Sequence, residues 1–229
     1  MSDERLDPEA APEASLQEHL ARYRFARERV AGRVLDVACG TGYGAALLGA
    51  VGVDLSMDAL RAARNETDRL IRADAQRLPF GGIFDAVVSF ETVEHVADAE
   101  RFVAECRRVL RPGGVLVMST PNRELWSPRS SKPLQPHHTR EFSRKEFLAL
   151  LGPFRDVTLF GQLSLGRAAA AAFAWKELSK RVIRALLPLR RFRGASTRRL
   201  KDLAPDPAYA PRPLAADGTA AIFVAVAAR

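Results

Sequence analysis

The chain has 229 residues, 47% of them hydrophobic, so it can bury one sizeable core and its length requires no second domain. Its apolar runs are too short for a membrane-spanning helix, its acidic N-terminus differs from a secretory signal, and its two cysteines provide no disulfide framework, which together predict a cytoplasmic protein. The net charge of +8 comes from residues 167–201, which hold eleven Lys and Arg against one acid, whereas the remainder has 24 basic and 26 acidic residues; this distribution argues against a general nucleic-acid-binding surface.

Turn signals and hydrophobic periodicity predict alternating helices and strands in the first half of the chain. In order, we expect a disordered tail over 1–14, a helix over 16–29, a strand over 33–38, a short helix over 44–48, a strand over 51–54, a helix capped by Ser56 and ending at 65, strands over 70–73 and 84–90, a helix over 97–110 and a strand over 115–119. Strands separated by helical stretches imply a parallel sheet with right-handed crossovers.

The second half of the chain is less regular. A polar, proline-bearing loop over 121–136 precedes a helix that Ser143 and Glu146 open as a capping box and that ends near 151. Strands over 155–160 and 219–227 enclose a basic helical insertion at about 166–216. The sequence therefore predicts one α/β domain over 15–229, with a doubly wound sheet and helices on both faces.

The most informative stretch is VLDVACGTGYG at residues 34–44, followed by VGVDLS at 51–56. Glycines 40, 42 and 44 allow a tight turn after a buried strand, and Asp54 at the end of the next strand can accept from ribose hydroxyls. The spacing differs from the G-x-x-G ending that seats a pyrophosphate, and Asp36 would repel one. A ligand with an ammonium group and a sulfonium suits this carboxylate, and S-adenosylmethionine has both.

The chain resembles the class I S-adenosylmethionine-dependent methyltransferases, in particular their small type 11-like members. The resemblance covers residues 18–161 and lies in motifs that occur in the right order: LDVACGTG at 35–42, VDLS at 53–56, ADAQRLPF at 73–80, FDAVVSFETVEHV at 84–96 and VLRPGGVLV at 109–117. It implies a Rossmann-like, mostly parallel sheet with an antiparallel last strand. Because only eighteen positions separate Asp36 from Asp54, the helix behind the glycine loop must shorten to one or two turns, which leaves the covering of that face open.

The resemblance also implies which residues hold the cofactor. The backbone at Ala38, Gly40 and Gly42 should contact its methionine part, and Asp36 should reach the ammonium directly or through water. The remaining expected contacts are the ribose with Asp54, the adenine with Leu55, Asp74 and Ala75, the methionine end with Phe90 and Glu91, and the carboxylate with Tyr23 or Arg24.

Methyl transfer from a sulfonium needs positioning and exclusion of water, and a general base only if the acceptor must lose a proton. Candidates for that base are Glu94 and His95 after the fourth strand, and His137 and His138 on the later loop. His95 equally suits bracing of the next helix, and the His137–His138 pair suits loop anchoring. We expect no metal, because three ligands at a fixed spacing are missing.

The insertion is the part of the sequence that bears on the methyl acceptor. Its apolar positions Ala171, Trp175 and Leu178 share one helical stripe opposite a basic face. Such a helix suits the inner face of an anionic membrane and a lipid-linked acceptor, or equally a lid over the site of a small-molecule acceptor. The atom methylated, whether oxygen, nitrogen or carbon, and the oligomeric state stay open.

Two other classes of function compete with a small-molecule methyltransferase. A nucleic-acid methyltransferase would use the basic insertion, but FETV at residues 90–93 replaces the Asn/Asp-Pro-Pro-Tyr element of amino-methylating nucleic-acid enzymes. A non-catalytic cofactor-binding protein is disfavoured by the intact glycine loop and both aspartates.

Overall fold

The structure is a computed structural model that describes residues 11–128, 130, 132–165, 205–214 and 219–229. Its helices are α1 (Glu13–Arg27), α2 (Tyr43–Leu48), α3 (Met57–Ala63), α4 (Ala99–Val109), α5 (Arg123–Trp126) and α6 (Arg144–Leu150), with a 3-10 turn at Pro207–Tyr209. Its strands are β1 (Val34–Val37), β2 (Val51–Asp54), β3 (Leu70–Arg72), β4 (Phe84–Ser89), β5 (Leu110–Pro121), β6 (Arg155–Leu165), β7 (Arg212–Pro213) and β8 (Thr219–Ala228).

The strands form one sheet in the order β3-β2-β1-β4-β5-β8-β6-β7. The first five in this order are parallel, whereas β8 is antiparallel to both β5 and β6. The predicted fold class, a doubly wound sheet with an antiparallel last strand, is therefore confirmed. The order of strands reverses between β1 and β4, and ligands of doubly wound folds bind at the carboxyl ends of the strands beside such a reversal.

Two apolar cores cover the two faces of the sheet. One contains Phe102 and Val103 of α4 and Phe147 of α6, and the other contains Leu20 of α1 and Leu60 of α3. All four residues of β1 are buried, as expected of a parallel strand with helices on both sides. The central strands are therefore held rigidly, and so are the loops that leave their carboxyl ends.

Local hydrogen bonds explain where several helices begin. The Ser56 hydroxyl accepts from the Ala59 N–H, and the predicted capping box of Ser143 and Glu146 is present at the start of α6. Asn122 caps α5 in the same way, since its side chain accepts from the Glu124 N–H at 3.0 Å. That cap accounts for a helix within the stretch we predicted as loop.

Other predicted boundaries were wrong. Helix α1 begins at Glu13, inside the predicted disordered tail, because alanine and glutamate favour a helix once its inner face can pack. Strands β5 and β6 exceed their predicted lengths, since β8 pairs along both of them. Strand β7 falls within the predicted insertion and pairs with Phe160 and Gly161 of β6.

The short α2 has six residues, which agrees with the predicted one or two turns. Helix α1 packs against it, and the ring of Tyr23 lies where a side chain at Gly44 would be. The predicted basic helix, with Trp175, lies outside the described residues. Within the described part of the chain, no helix combines the length and the apolar character that crossing a bilayer requires.

Candidate active site

A cavity of about 210 Å³ opens at the carboxyl ends of β1 and β4. Eight residues predicted for the site line it: Tyr23, Ala38, Gly40, Phe90, Glu91, Glu94, His95 and His138. Seven further lining residues were not predicted: His19, Cys39, Thr41, Tyr43, Pro121, Trp126 and Gln135. The volume falls below the roughly 300–1,000 Å³ of complete small-molecule pockets, so the walls enclose only part of a cofactor-sized ligand.

The glycine loop lies along one wall, and neighbouring side chains dictate its glycines. Gly42 has φ +83°, and a Cβ there would approach the Ala63 Cβ to 2.7 Å. A Cβ at Gly44 would lie 2.0 Å from Cζ of Tyr23. Contacts with α3 and α1 therefore require glycine at both positions. The sequence analysis had expected a different reason, the close approach of the backbone to a ligand.

Two lining residues other than glycine have left-handed backbone conformations. Ala38 has φ +61° and Glu91 has φ +50°, directly after β1 and β4. Such conformations are costly for residues with a Cβ, and they concentrate at functional sites. Their position at the two strand ends that border the cavity points to a ligand site there.

Asp36 is fully buried beneath the loop. The Tyr23 hydroxyl donates to it, at 3.3 Å from Oδ1 and 3.2 Å from Oδ2. Burial raises the pKa of Asp36 to about 8, the Tyr23 hydrogen bond opposes the rise, and the charge of Asp54 adds to it. A cationic group placed close to Asp36 would stabilise its ionised form.

Asp54 connects the end of β2 to the glycine loop. Its Oδ2 accepts from the Gly40 N–H at 3.0 Å, and its Oδ1 accepts from the Ser56 N–H at 2.8 Å. Each carboxylate oxygen has a second lone pair, so both can still accept from a ligand hydroxyl.

Aromatic rings form the inner wall of the cavity. Tyr23 packs edge-on against Phe90, with centroids 4.9 Å apart, and against Tyr43 at 5.5 Å. Ring faces attract cations, including sulfonium-type charges. This wall, with the Asp36 carboxylate behind it, fits the positively charged end of S-adenosylmethionine.

Three side chains with titratable groups meet in the lining of the cavity. One ligand-type atom each from Glu94, His95 and His138 lies within 4.8 Å of the other two, and the two imidazole centroids are 4.9 Å apart. The His138 loop is fixed here because the Glu94 carbonyl accepts from the Thr139 N–H at 2.8 Å and from its hydroxyl at 3.0 Å. His95 and His138, 43 positions apart in sequence, are thereby brought together.

Glu94 is fully buried, and its surroundings favour the protonated acid. Burial raises its pKa well above the ordinary range, and the nearby charge of Glu91 adds to the rise. The Thr120 hydroxyl donates to Oε2 at 3.1 Å, whereas the buried Oε1 has no hydrogen-bond partner. Glu91 itself accepts from the Ser119 hydroxyl at 2.7 Å.

The buried cation of α1 is Arg22, which the sequence analysis missed. Its Nη1 donates to Oε1 of Gln162, while its Nε and Nη2 have no hydrogen-bond partner. Its charge helps to lower the pKa of His19 well below the ordinary value, after the larger effect of burial. No sequence signal separates Arg22 from Arg24, because α1 is buried on most of its sides.

Several predicted residues do not line the cavity: Arg24, Asp36, Gly42, Asp54, Leu55, Asp74, Ala75 and His137. Leu55 is 51% exposed, and the exposed Asp74 accepts from the Gln76 N–H, so the predicted adenine site is an open edge beyond the enclosed part. His137 is exposed and contributes its carbonyl, which accepts from Nδ1 of His95 at 3.1 Å. Only its backbone takes part in the cluster.

Comparisons with known proteins agree with this geometry. Residues 35–118 match the family described as "Methyltransferase domain". A Mycolicibacterium smegmatis protein, named "Probable S-adenosylmethionine-dependent methyltransferase", is 40% identical over 66% of this chain and 63% of its own length. A Thiobacillus denitrificans protein, named "Ubiquinone biosynthesis O-methyltransferase", is 38% identical over 46% of this chain and 52% of its own. The chain thus spans less than two thirds of these relatives.

The fold has close counterparts among solved structures. The crystal structure of an S-adenosylmethionine-dependent methyltransferase from Thermotoga maritima superimposes with a TM-score of 0.64 at 18% identity, covering 93% of this chain and 91% of that one. In sequence the chain is similar to S-adenosylmethionine-dependent methyltransferases, and its fold is shared with the Thermotoga maritima structure. The cofactor that they imply is S-adenosylmethionine.

Proposed function

We propose that this protein transfers the methyl group of S-adenosylmethionine to a hydroxyl oxygen of a small-molecule acceptor. The observation that carries the proposal is the cluster of Glu94, His95 and His138 in the lining of the cavity. A hydroxyl must lose its proton to become a good nucleophile, and these side chains are the groups positioned to assist that loss.

The glycine loop and the aromatic rings in the same lining support the cofactor half of the proposal. Bound there, S-adenosylmethionine would supply an electrophilic methyl group on a sulfonium. Tyr23, Phe90 and the backbone at Ala38 and Gly40 would surround its methionine part, and Asp36 would balance the ammonium charge. The predicted contacts of Asp54 with the ribose and of Leu55, Asp74 and Ala75 with the adenine remain proposals, and the last three would bind at the open edge.

Chemistry at the acceptor end would depend on positioning and exclusion of water. Trp126 and Pro121 provide apolar surface beside the two imidazoles, and Gln135 provides an amide for orienting a polar acceptor. The buried walls would keep water from competing with the acceptor hydroxyl. The name of the Thiobacillus denitrificans relative, an O-methyltransferase of ubiquinone biosynthesis, also favours oxygen over nitrogen or carbon.

The test is methyl transfer from labelled S-adenosylmethionine to a panel of phenols, catechols, sugars and lipid-linked hydroxyl compounds. We expect label in a methyl ether of at least one acceptor, identified by mass spectrometry, and loss of most of the rate in His138→Ala. Failure to bind the cofactor in calorimetry would overturn the proposal, and so would label found solely on nitrogen or carbon.

The panel also separates the narrower sequence predictions. A lipid-linked acceptor and contact with an anionic membrane depend on the basic segment, which lies outside the described residues. A clear preference for lipid-linked over free acceptors, with binding to anionic vesicles, would support them. Salt-sensitive binding to RNA would instead favour the nucleic-acid alternative.

A further inference from the structure

The cluster of Glu94, His95 and His138 has the ligand types of a metal site, and its ligand atoms lie close together. Glu94 and His95 follow β4, and His138 comes from the loop before α6. The single O–H of Thr139 lies within donating distance of two carbonyls, that of Val96 at 2.7 Å and that of Glu94 at 3.0 Å, and with the Thr139 N–H, which donates to the Glu94 carbonyl, it holds that loop against the end of β4. The three side chains are therefore positioned by two backbone segments that are bonded to each other, the end of β4 and the loop before α6.

Both imidazoles are oriented through the same ring atom. Nδ1 of His95 lies 3.1 Å from the His137 carbonyl, which can only accept, so this nitrogen carries the hydrogen. Nδ1 of His138 lies 2.7 Å from Oε1 of the buried Glu141. A carbonyl or carboxylate that accepts from Nδ1 is the usual second partner of a metal-binding histidine, since it leaves the Nε2 lone pair for the metal.

Glu94 supplies an oxygen of the matching kind. Its Oε1 is buried without a hydrogen-bond partner, 3.9 Å from Nε2 of His95. Its second oxygen is fixed by the Thr120 hydroxyl. A buried carboxylate oxygen without a hydrogen-bond partner is costly, and a cation bound beside it would stabilise the ionised form of Glu94.

We propose that Glu94, His95 and His138 bind a divalent transition-metal cation of the Zn²⁺ class. Two imidazoles and one carboxylate suit Zn²⁺, Co²⁺ or Mn²⁺, whereas Mg²⁺ prefers oxygen ligands in an octahedron. Ligand atoms around tetrahedral Zn²⁺ are about 3.3 Å apart, so these atoms, now within 4.8 Å of one another, must approach by up to about 1.5 Å through side-chain rotation. The sequence analysis expected no metal, because His138 follows His95 by 43 residues and the three side chains show no fixed ligand spacing.

The cation would leave coordination positions that face the cavity. A hydroxyl bound there would lose its proton more readily, since the cation stabilises the resulting oxyanion. This role in turnover rests on the proposed function and deepens it. Metal binding itself can be measured without cofactor or acceptor, which keeps the two tests independent.

The experiment uses the full chain, stripped with a chelator and free of any histidine tag. Titration with Co²⁺ followed by visible absorption, and with Zn²⁺ followed by calorimetry, should show one site per chain. We expect His95→Ala, His138→Ala and Glu94→Gln each to weaken binding at least about tenfold, and Glu141→Gln to weaken it about 10- to 100-fold through the orientation of His138.

His137→Ala is the matched control, because its ring lies outside the cluster and the carbonyl that orients His95 is retained. It should bind Co²⁺ like the unaltered protein. Circular dichroism of each stripped variant checks that the fold is kept, and any variant that fails is replaced by His138→Asn or His95→Asn. Absence of a stoichiometric site, or equal loss in His137→Ala and His138→Ala, would overturn the inference.

The outcomes also distinguish this inference from the proposed function. Stoichiometric binding by the cluster without methyl transfer to any hydroxyl would support the metal site and count against O-methylation. Full transfer by the stripped protein, with no Co²⁺ site, would support O-methylation and count against the metal.

Discussion

The Tyr23 hydroxyl lies 3.2 Å from Oδ2 of Asp36 and joins the first helix to the first strand beneath the glycine loop. The groups that interact with Asp36 are this phenol on α1, the carboxylate of Asp54 on β2, the Cys39 thiol that follows β1 and the phenol of Tyr43 on α2. None of these groups carries a positive charge. A ligand ammonium would therefore change the ionisation of Asp36 more than any of them.

We predict that cofactor binding strengthens with pH through Asp36. Its pKa in the folded protein is about 8, far above the ordinary value of 3.8, so the carboxyl binds a proton at pH 7 that a bound ammonium would expel. Affinity should then rise by up to about tenfold per pH unit below pH 8 and level off above it. Calorimetry in buffers of different ionisation enthalpy measures both the affinity and the proton released.

Asp36→Asn is the control for this effect. It should bind the cofactor more weakly and show little dependence on pH in the same range. Tyr23→Phe removes the hydrogen bond that favours the carboxylate, so the rise in affinity should move to higher pH. A pH dependence that survives in Asp36→Asn would assign the titration to another group.

The same group links the stability of the ligand-free protein to pH. The folded protein keeps the Asp36 proton up to about pH 8, whereas an unfolded chain releases it near its ordinary pKa. Through this group, the free energy of unfolding should fall as pH rises from about 4 to 8. Urea unfolding of the ligand-free protein and of Asp36→Asn across that range measures the contribution as the difference between their slopes.

Asp54→Ala tests the predicted ribose contact. Loss of charge-assisted hydrogen bonds should weaken cofactor binding by about 1 to 3 kcal/mol, and part of that arises from the lost contact to the Gly40 N–H. Asp58→Ala is the control, because Asp58 is exposed and pairs with Arg61 on the surface of α3. Equal affinities of the two variants would argue against a ribose at Asp54.

The sequence predicted the fold more fully than the site. Strands β1 and β2 lie where buried apolar runs end in Asp36 and Asp54, because local patterns fix both elements. The pairing of β8 along β5 and β6 depends on distant residues, so the lengths of these strands could not be read locally. In the site, the burial of Arg22, which exceeds that of Arg24, and the approach of His138 to His95 also depend on tertiary packing.

Gly44→Ala tests whether Tyr23 requires a glycine in α2. Alanine normally favours a helix over glycine by about 1 kcal/mol, so a loss of stability here must come from packing. A methyl group at this position would lie 2.0 Å from Cζ of Tyr23, and we expect a loss of about 1 to 3 kcal/mol with weaker cofactor binding. Urea unfolding measures the stability.

Gly81→Ala is the matched control for that substitution. Nothing lies within 4 Å of the added methyl group, and the residue is exposed, so stability should change by less than about 0.5 kcal/mol. A stabilised Gly44→Ala protein would mean that the ring of Tyr23 moves away at no cost. The close packing of α1 on the glycine loop would then not be needed for the site.

Thr139→Val tests the attachment of the His138 loop to the end of β4. The substitution keeps the shape of the side chain but removes the hydrogen bonds to the carbonyls of Glu94 and Val96. Misplacement of His138 by about an ångström can cost up to about 100-fold in rate, so we expect kcat to fall roughly 10- to 100-fold. Cofactor affinity should stay the same, because Thr139 does not line the cavity.

Thr67→Val is the control, on an exposed loop where the hydroxyl oxygen accepts from the Arg69 N–H. It should change neither kcat nor cofactor affinity. A normal kcat in Thr139→Val would mean that the bond from the Thr139 N–H to the Glu94 carbonyl and the contact with Glu141 suffice to hold His138, or that His138 has no part in the reaction.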